Sequence, residues 1–150
     1  MFRIKLANLE KSFLELNLNK VNNAYTGYKK NIDLVRSCVD TLEKSFSVRM
    51  NNYKGLKKTC PKFLSTFSIA KKNLEDQIFQ VQNLSKDLEH NLIPIDSINV
   101  YLDLESENIQ KISDDVLELL ELYKFINSVS DSLYEPIKLY AEKFCSKKVL

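Results

Sequence analysis

Few side chains in this sequence are of the types that carry chemistry, and their spacing limits what they can do. His90 is the only histidine. A metal site needs several nitrogen, sulfur or oxygen ligands at short fixed spacings, and no second imidazole accompanies it. His90 lies where a helix is expected to end, and there it suits a C-terminal cap. Cys38, Cys60 and Cys145 are odd in number and show no C-x-x-C spacing. They read as neither a disulfide framework nor a zinc site. The expectation is three free thiols, buried or half-buried, in a reducing cytosol. The carboxylates Asp114, Asp115, Glu118 and Glu121 are close enough in sequence to act as acid and base. On a segment crowded with like charge they read instead as a solvated or partner-facing surface. No P-loop, G-x-S-x-G or H-E-x-x-H occurs. With only Gly27 and Gly55 in the chain, a phosphate-cradling loop has no material. No catalytic residue, cofactor or metal is expected.

A second group mixes aromatic and basic residues: Tyr25, Tyr28, Phe46 and Tyr53 among Lys29, Lys30, Lys44, Arg49 and Lys54. Such mixtures bind membrane surfaces or single-stranded nucleic acid. No recognition motif accompanies the charge. The aromatics also fall on a heptad seam, which favours helix packing.

The elements that must position these residues are helices. Sheet proteins need frequent Gly and Pro turns, whereas this chain has two glycines and three prolines, Pro61, Pro94 and Pro136. Leu6, Leu9, Phe13 and Leu16 mark a short amphipathic helix, interrupted by the polar stretch 17–23. Tyr25, Tyr28, Ile32, Val35, Val39, Leu42, Phe46, Tyr53, Leu56 and Cys60 then alternate three and four apart, with Arg49 the exception on the seam. A run of that length predicts one long coiled-coil helix that zips onto partner helices. Gly55 weakens it and Pro61 stops or kinks it.

Further helices are expected over about 62–92, 97–130 and 136–145. The first of these carries Leu74, Ile78, Val81 and Leu88 on one face, and Pro94 ends it. The next, with Asp96 or Ser97 as N-cap, carries Ile109, Ile112, Val116, Leu119, Tyr123 and Ile126. Asp103, Glu105, Glu107, Asp114, Asp115, Glu118 and Glu121 crowd its remaining surface. Pro136 suits the first turn of the last helix, with Lys147 and Lys148 beyond its end. The fold class is therefore all-α: a short helix and a long coiled-coil helix in residues 1–61, then antiparallel helices of a bundle or rod in 62–150.

Net charge is +2, but residues 1–62 hold thirteen Lys/Arg against five Asp/Glu and residues 63–150 hold nine against fifteen. Complementary halves of this kind fold onto each other or onto oppositely charged partner helices. Residues 1–19 are too charged for a secretory signal, and no segment reaches the ~20 apolar residues that span a bilayer. Cys145 is not placed for prenylation. A soluble cytoplasmic protein is expected.

One segment adds more. Leu84, Leu88 and His90 lead into Ile93-Pro94-Ile95 and the polar helix start Asp96-Ser97. Leu102, then Glu107-Asn108-Ile109-Gln110-Lys111-Ile112 and Pro136 follow. This pattern resembles the N-terminal region of the seventy-kilodalton subunit of the exocyst, the vesicle-tethering complex, over about residues 63–144. The resemblance implies a non-enzymatic helical scaffold in exocytosis, zipped to other tethering subunits and peripheral at sites of secretion on the plasma membrane. The family's phosphoinositide surface lies beyond the stretch matched, so membrane contact is at most indirect. Two alternatives stand beside it: a curved helical dimer on acidic membranes, or a cytoskeletal or kinetochore coiled coil. A seam covered only by a partner also predicts that the chain alone self-associates or partly unfolds.

Overall fold

The computed structural model describes residues 1–149, with side chains to residue 147. It is 89% helical and contains no strand among the described residues, an all-α helical bundle. The helices are α1 (Phe2–Leu14), α2 (Leu18–Cys38), α3 (Lys44–Tyr53), α4 (Leu56–Glu89) and α5 (Ile95–Val149).

The expected long helix over residues 25–60 is three helices. The polar stretch at 17–23 belongs largely to α2. Asn17 is extended and its side chain accepts from the Lys20 N–H at 3.1 Å, which caps the first turn. Two turns of hydrophilic surface therefore open a helix, with Val21 completely buried beneath them. α2 stops at Cys38 and Val39 turns extended. Val39, Asp40 and Thr41 are all weak helix formers, so the stop needs neither glycine nor proline. α3 ends at Lys54–Gly55. A Cβ on Gly55 would lie 3.0 Å from the Phe125 ring and 3.1 Å from the Asn52 carbonyl, so the absence of a side chain lets the chain turn there.

Both internal prolines lie inside helices. Pro61, expected to stop a helix, sits in the second turn of α4. It lacks only its own backbone donor, the one that would reach the Lys57 carbonyl, while the turn before it is held by the Lys57, Lys58 and Thr59 N–H groups on the Lys54 and Gly55 carbonyls. Pro136, expected to open a new helix, is carried within α5, which runs unbroken to Val149. Burial of Ile126 before it and of Ile137 and Ala141 after it holds both sides of the helix down. Lys147 is thus within the helix rather than past its end, and the Lys148 side chain lies outside the described residues.

Pro94 does end a hairpin. α4 stops at Glu89, and Asn91 takes the left-handed conformation (φ 54°). The Leu92 N–H donates to the Asp87 carbonyl at 2.9 Å and the Asn91 N–H to that of Leu88 at 3.2 Å. This is a Schellman closure with asparagine in glycine's usual place. The next helix begins at Ile95, so Asp96 lies in its first turn instead of capping it.

The chain divides into two compact units, in place of the expected boundary near residue 61. The first comprises Met1–Leu16 and Ser65–Leu120. In it α1 packs antiparallel to α4, with Phe13 edge-on to Phe67 at 5.4 Å and the Arg3 guanidinium donating to Ser85 Oγ at 3.2 Å. Leu6, Ala70, Leu74, Val81, Ile109, Ile112, Val116 and Leu119 form its core. The second comprises Asn17–Leu64 and Glu121–Leu150, where α2 and α3 pack on α4's first turns and α5's second half. Its core is Val21, Tyr28, Ile32, Phe46, Met50, Tyr53, Leu56, Cys60, Phe63, Ile126, Ile137 and Ala141.

Candidate functional site

The expected partner seam is the inside of the second unit. Tyr28, Ile32, Phe46, Tyr53 and Leu56 are buried, and Tyr25, Val35, Val39 and Leu42 half-buried, against helices of the same chain. This corrects the expectation of a long seam left open for another protein. The same 3–4 spacing describes a helix buried against its own chain, and spacing alone does not distinguish the two. In α3 the inward residue is Met50, four after Phe46, while Arg49 is exposed. The apparent exception on the seam is a shift in register, produced by the break after Cys38.

Aromatic contacts fix this interior. Tyr28 packs edge-on to Tyr53 at 5.1 Å, and the Phe46 ring stacks on Tyr140 at 3.7 Å. Tyr25 lies at the rim with the Lys29 ammonium 4.2 Å from its ring centre. The mixed aromatic and basic pattern is therefore used within the unit, its rings inward and its cations outward.

A polar key crosses the core. Asn31 is 1% exposed, and its Nδ2 donates both to Tyr53 Oη at 3.0 Å and to the Tyr134 carbonyl at 3.1 Å. That carbonyl lies two residues before Pro136, within the turn of α5 that precedes the proline. One side chain thus ties α2 to α3 and α5. Gly27, one turn earlier, leaves room for the Tyr134 ring, since a Cβ there would approach it to 2.8 Å. Burial pushes the Tyr53 phenol up to about 12, and the Asn31 hydrogen bond offsets only part of that. Burial raises Tyr28 as well, against the lowering effect of the Arg36 cation. Periodicity gave no sign of Asn31, because a polar residue one position from the seam reads as surface.

The cysteines depart from expectation. Cys38 and Cys145, 107 residues apart, form a disulfide with Cα atoms 4.8 Å apart, joining the end of α2 to the end of α5. Nothing in local spacing announces a bond between residues so distant. Cys60 is a free buried thiol, as expected, and burial pushes it up to about 11, so it is inert as a nucleophile.

In the first unit, Leu74, Val81, Ile109, Ile112, Val116 and Leu119 are buried and Ile78 and Leu88 half-buried, as the bundle face requires. Tyr123 and Ile126, expected on that same face, belong to the second unit. There Tyr123 Oη accepts from the Asn17 N–H at 3.3 Å. The acidic surface of α5 holds for Asp103, Glu107, Asp114 and Glu121, which are exposed, but not for Glu105. Glu105 is 2% exposed and accepts from the Gln77 amide and from Gln80 Nε2 at 2.6 Å. His90 is exposed at the C-terminus of α4. Among the described residues no three His, Cys, Asp or Glu side chains gather as a metal site, and no helix is long and apolar enough to cross a membrane.

Exposed large apolar side chains are scattered over the surface, Ile4, Leu14, Val48 and Phe79 among them, and several follow one another at the α4–α5 connector. Leu92, Ile95, Val100, Tyr101 and Leu104 are between 44% and 84% exposed within thirteen residues. The fold and this surface define a helical bundle with an apolar tip. Comparison with protein families, with curated proteins and with solved structures finds no match.

Proposed function

We infer that the chain is a non-enzymatic helical scaffold that joins a larger assembly through the apolar tip of its α4–α5 hairpin. The observation that carries this reading is the run of exposed large apolar residues from Leu92 to Leu104 at the hairpin connector. Exposed apolar clusters of this kind are costly in water unless a partner covers them. The tip is also where the exocyst resemblance is concentrated, at Ile93-Pro94-Ile95 and the start of α5. In the finer form of the proposal the assembly is an exocyst-like vesicle tether, and the chain works on the cytoplasmic face at sites of secretion. The residues proposed for partner contact are those of the tip rather than the internal seam.

Purifying the tagged chain with its bound proteins tests both levels. The tether reading requires other tethering subunits among the co-purifying proteins. The triple substitution Leu92→Ser, Ile95→Ser and Leu104→Ser should remove them while the helical circular dichroism is kept. Helical partners that survive this substitution would overturn the tip as the assembly surface.

The Cys38–Cys145 disulfide favours a second reading, a stapled helical bundle working in an oxidising compartment. In the cytoplasm both thiols would be held reduced. Alkylating free thiols in intact cells before lysis separates the two: modification of Cys38 and Cys145 supports the tether, and their protection supports the second reading.

A further inference from the structure

The second unit carries a cleft that its own core does not fill. It lies between α2 and α3, with a volume of about 200 Å3. Small-molecule sites run to roughly 300–1,000 Å3, so this one has room for a single large side chain and not for a cofactor. Its floor is Tyr28, Ile32, Val35, Leu42 and Met50. Its rim is Arg36, Lys54 and Lys57, all exposed. Three exposed cations therefore rim an apolar socket. The surrounding unit is itself strongly basic, with fifteen Lys/Arg against seven Asp/Glu, a net of +8.

Resting on the scaffold reading above, we propose that this cleft is a docking socket for an acidic amphipathic helix of a partner chain, one apolar side chain of which enters between α2 and α3. An apolar floor inside a cationic rim is the complement of a helix with an exposed leucine or phenylalanine flanked by Asp and Glu. A concave socket of this volume selects a protruding side chain, whereas a lipid surface offers none. Four of the five floor residues, Tyr28, Ile32, Val35 and Leu42, lie on the heptad seam of the sequence. That seam is thus largely internal yet retains one opening toward a partner.

The test uses the full chain, with methyl-labelled methionine and a fluorescein-labelled peptide of residues 103–121. That peptide is an acidic amphipathic stretch with leucine and valine anchors. Only Met1 and Met50 report, and only Met50 lines the cleft. Binding should shift the Met50 methyl resonance and leave that of Met1 in place. It should weaken at least tenfold, roughly, in the Arg36→Glu, Lys54→Glu, Lys57→Glu variant. Raising NaCl from about 50 to about 300 mM should weaken it too, because the rim is open to solvent. All three substitutions are at exposed positions, and an unchanged Met50 resonance in the free variant confirms that its core is intact. Self-association of the chain, lost in the same variant, would assign the acidic helix to a second copy and supports the proposal. Binding without a Met50 shift overturns it. So does binding of the chain to phosphatidylserine vesicles, lost in that variant, with no peptide binding. Failure here leaves tip-dependent co-purification untouched, and the reverse holds, so the socket and the scaffold reading fall separately.

Discussion

The two units solve the same packing problem with different materials. The first unit has seven Lys/Arg against thirteen Asp/Glu, a net of −6, whereas the second stands at +8. The first unit's core is mainly aliphatic, built from Leu74, Val81, Ile109, Ile112, Val116 and Leu119 along uninterrupted stretches of α4 and α5, with Phe13 on Phe67 where α1 packs. The second core is aromatic, built around Tyr28, Phe46, Tyr53 and Phe63, and the chain breaks twice to reach it, after Cys38 and at Gly55. Aliphatic side chains interdigitate in any regular helix pair. Rings favour specific edge and face contacts, and the helices that carry most of them here are cut and reoriented. The second unit then needs added ties, and it has two: the Asn31 key and the Cys38–Cys145 bond.

The largest effect should come from removing the covalent tie. A disulfide closing a loop of this length restricts the unfolded chain by about 4–5 kcal/mol in the chain-entropy account. Urea unfolding of the oxidised protein, compared with the Cys38→Ser, Cys145→Ser variant, should show a loss of that order. Hydrogen exchange should place the loss in the second unit. Equal losses of protection in both units would break the distinction drawn here.

Next in size is the aliphatic core. Leu119 is fully buried, and Leu119→Ala should cost about 2–5 kcal/mol through lost transfer energy and the cavity left behind. The effect should appear in the first unit's exchange rates. A similar cost, about 1–3 kcal/mol, is expected for Asn31→Ala in the second unit, because the Tyr53 hydroxyl and the Tyr134 carbonyl would lose their buried partner.

How much of this was legible in the sequence differs between the units for the same physical reason. Helical class and the bundle face from Leu74 to Leu119 follow from periodicity, because the first unit keeps one register throughout, and Pro94 marks where one helix gives way to the next. In the second unit the seam residues were identified but not their continuity. Val39, Asp40 and Thr41 only weaken a helix, and whether it breaks there depends on what Phe46 and Tyr140 gain by stacking. Pro61 was over-read as a stop and Pro136 as a new start, since the cost of one lost backbone bond is outweighed by burial on both sides. Glu105, Asn31 and the disulfide were invisible for a common reason: each is defined by partners 22 to 107 residues away. The cleft between α2 and α3 depends on the break and could not precede it.

Alkali sharpens the comparison further. Tyr53 ionises near 10 when unfolded and near 12 in the fold, where burial disfavours the phenolate. A group whose native value is raised contributes stability that is fully present below its unfolded value and is lost as pH rises through the native one. Stability of the second unit should therefore fall between about pH 10 and 12, and Tyr53→Phe should flatten that fall. A variant whose decline matched that of the parent protein would remove Tyr53 as the cause.

The smallest expected effect concerns the entry to the second unit. Asn17 caps α2 through the Lys20 N–H, and its own N–H donates to Tyr123 Oη at 3.3 Å. Asn17→Ala removes the cap and keeps the backbone donor, so only the local term is lost, about 1 kcal/mol. Asn17→Gly should cost only a few tenths, because glycine leaves the cap position open to water. That ordering separates a cap from a packing residue, for which glycine would be the worse of the two. If Asn17→Gly proved the more damaging in urea unfolding, the start of α2 would depend on side-chain contacts at residue 17, and the polar opening of the second unit would belong to its core.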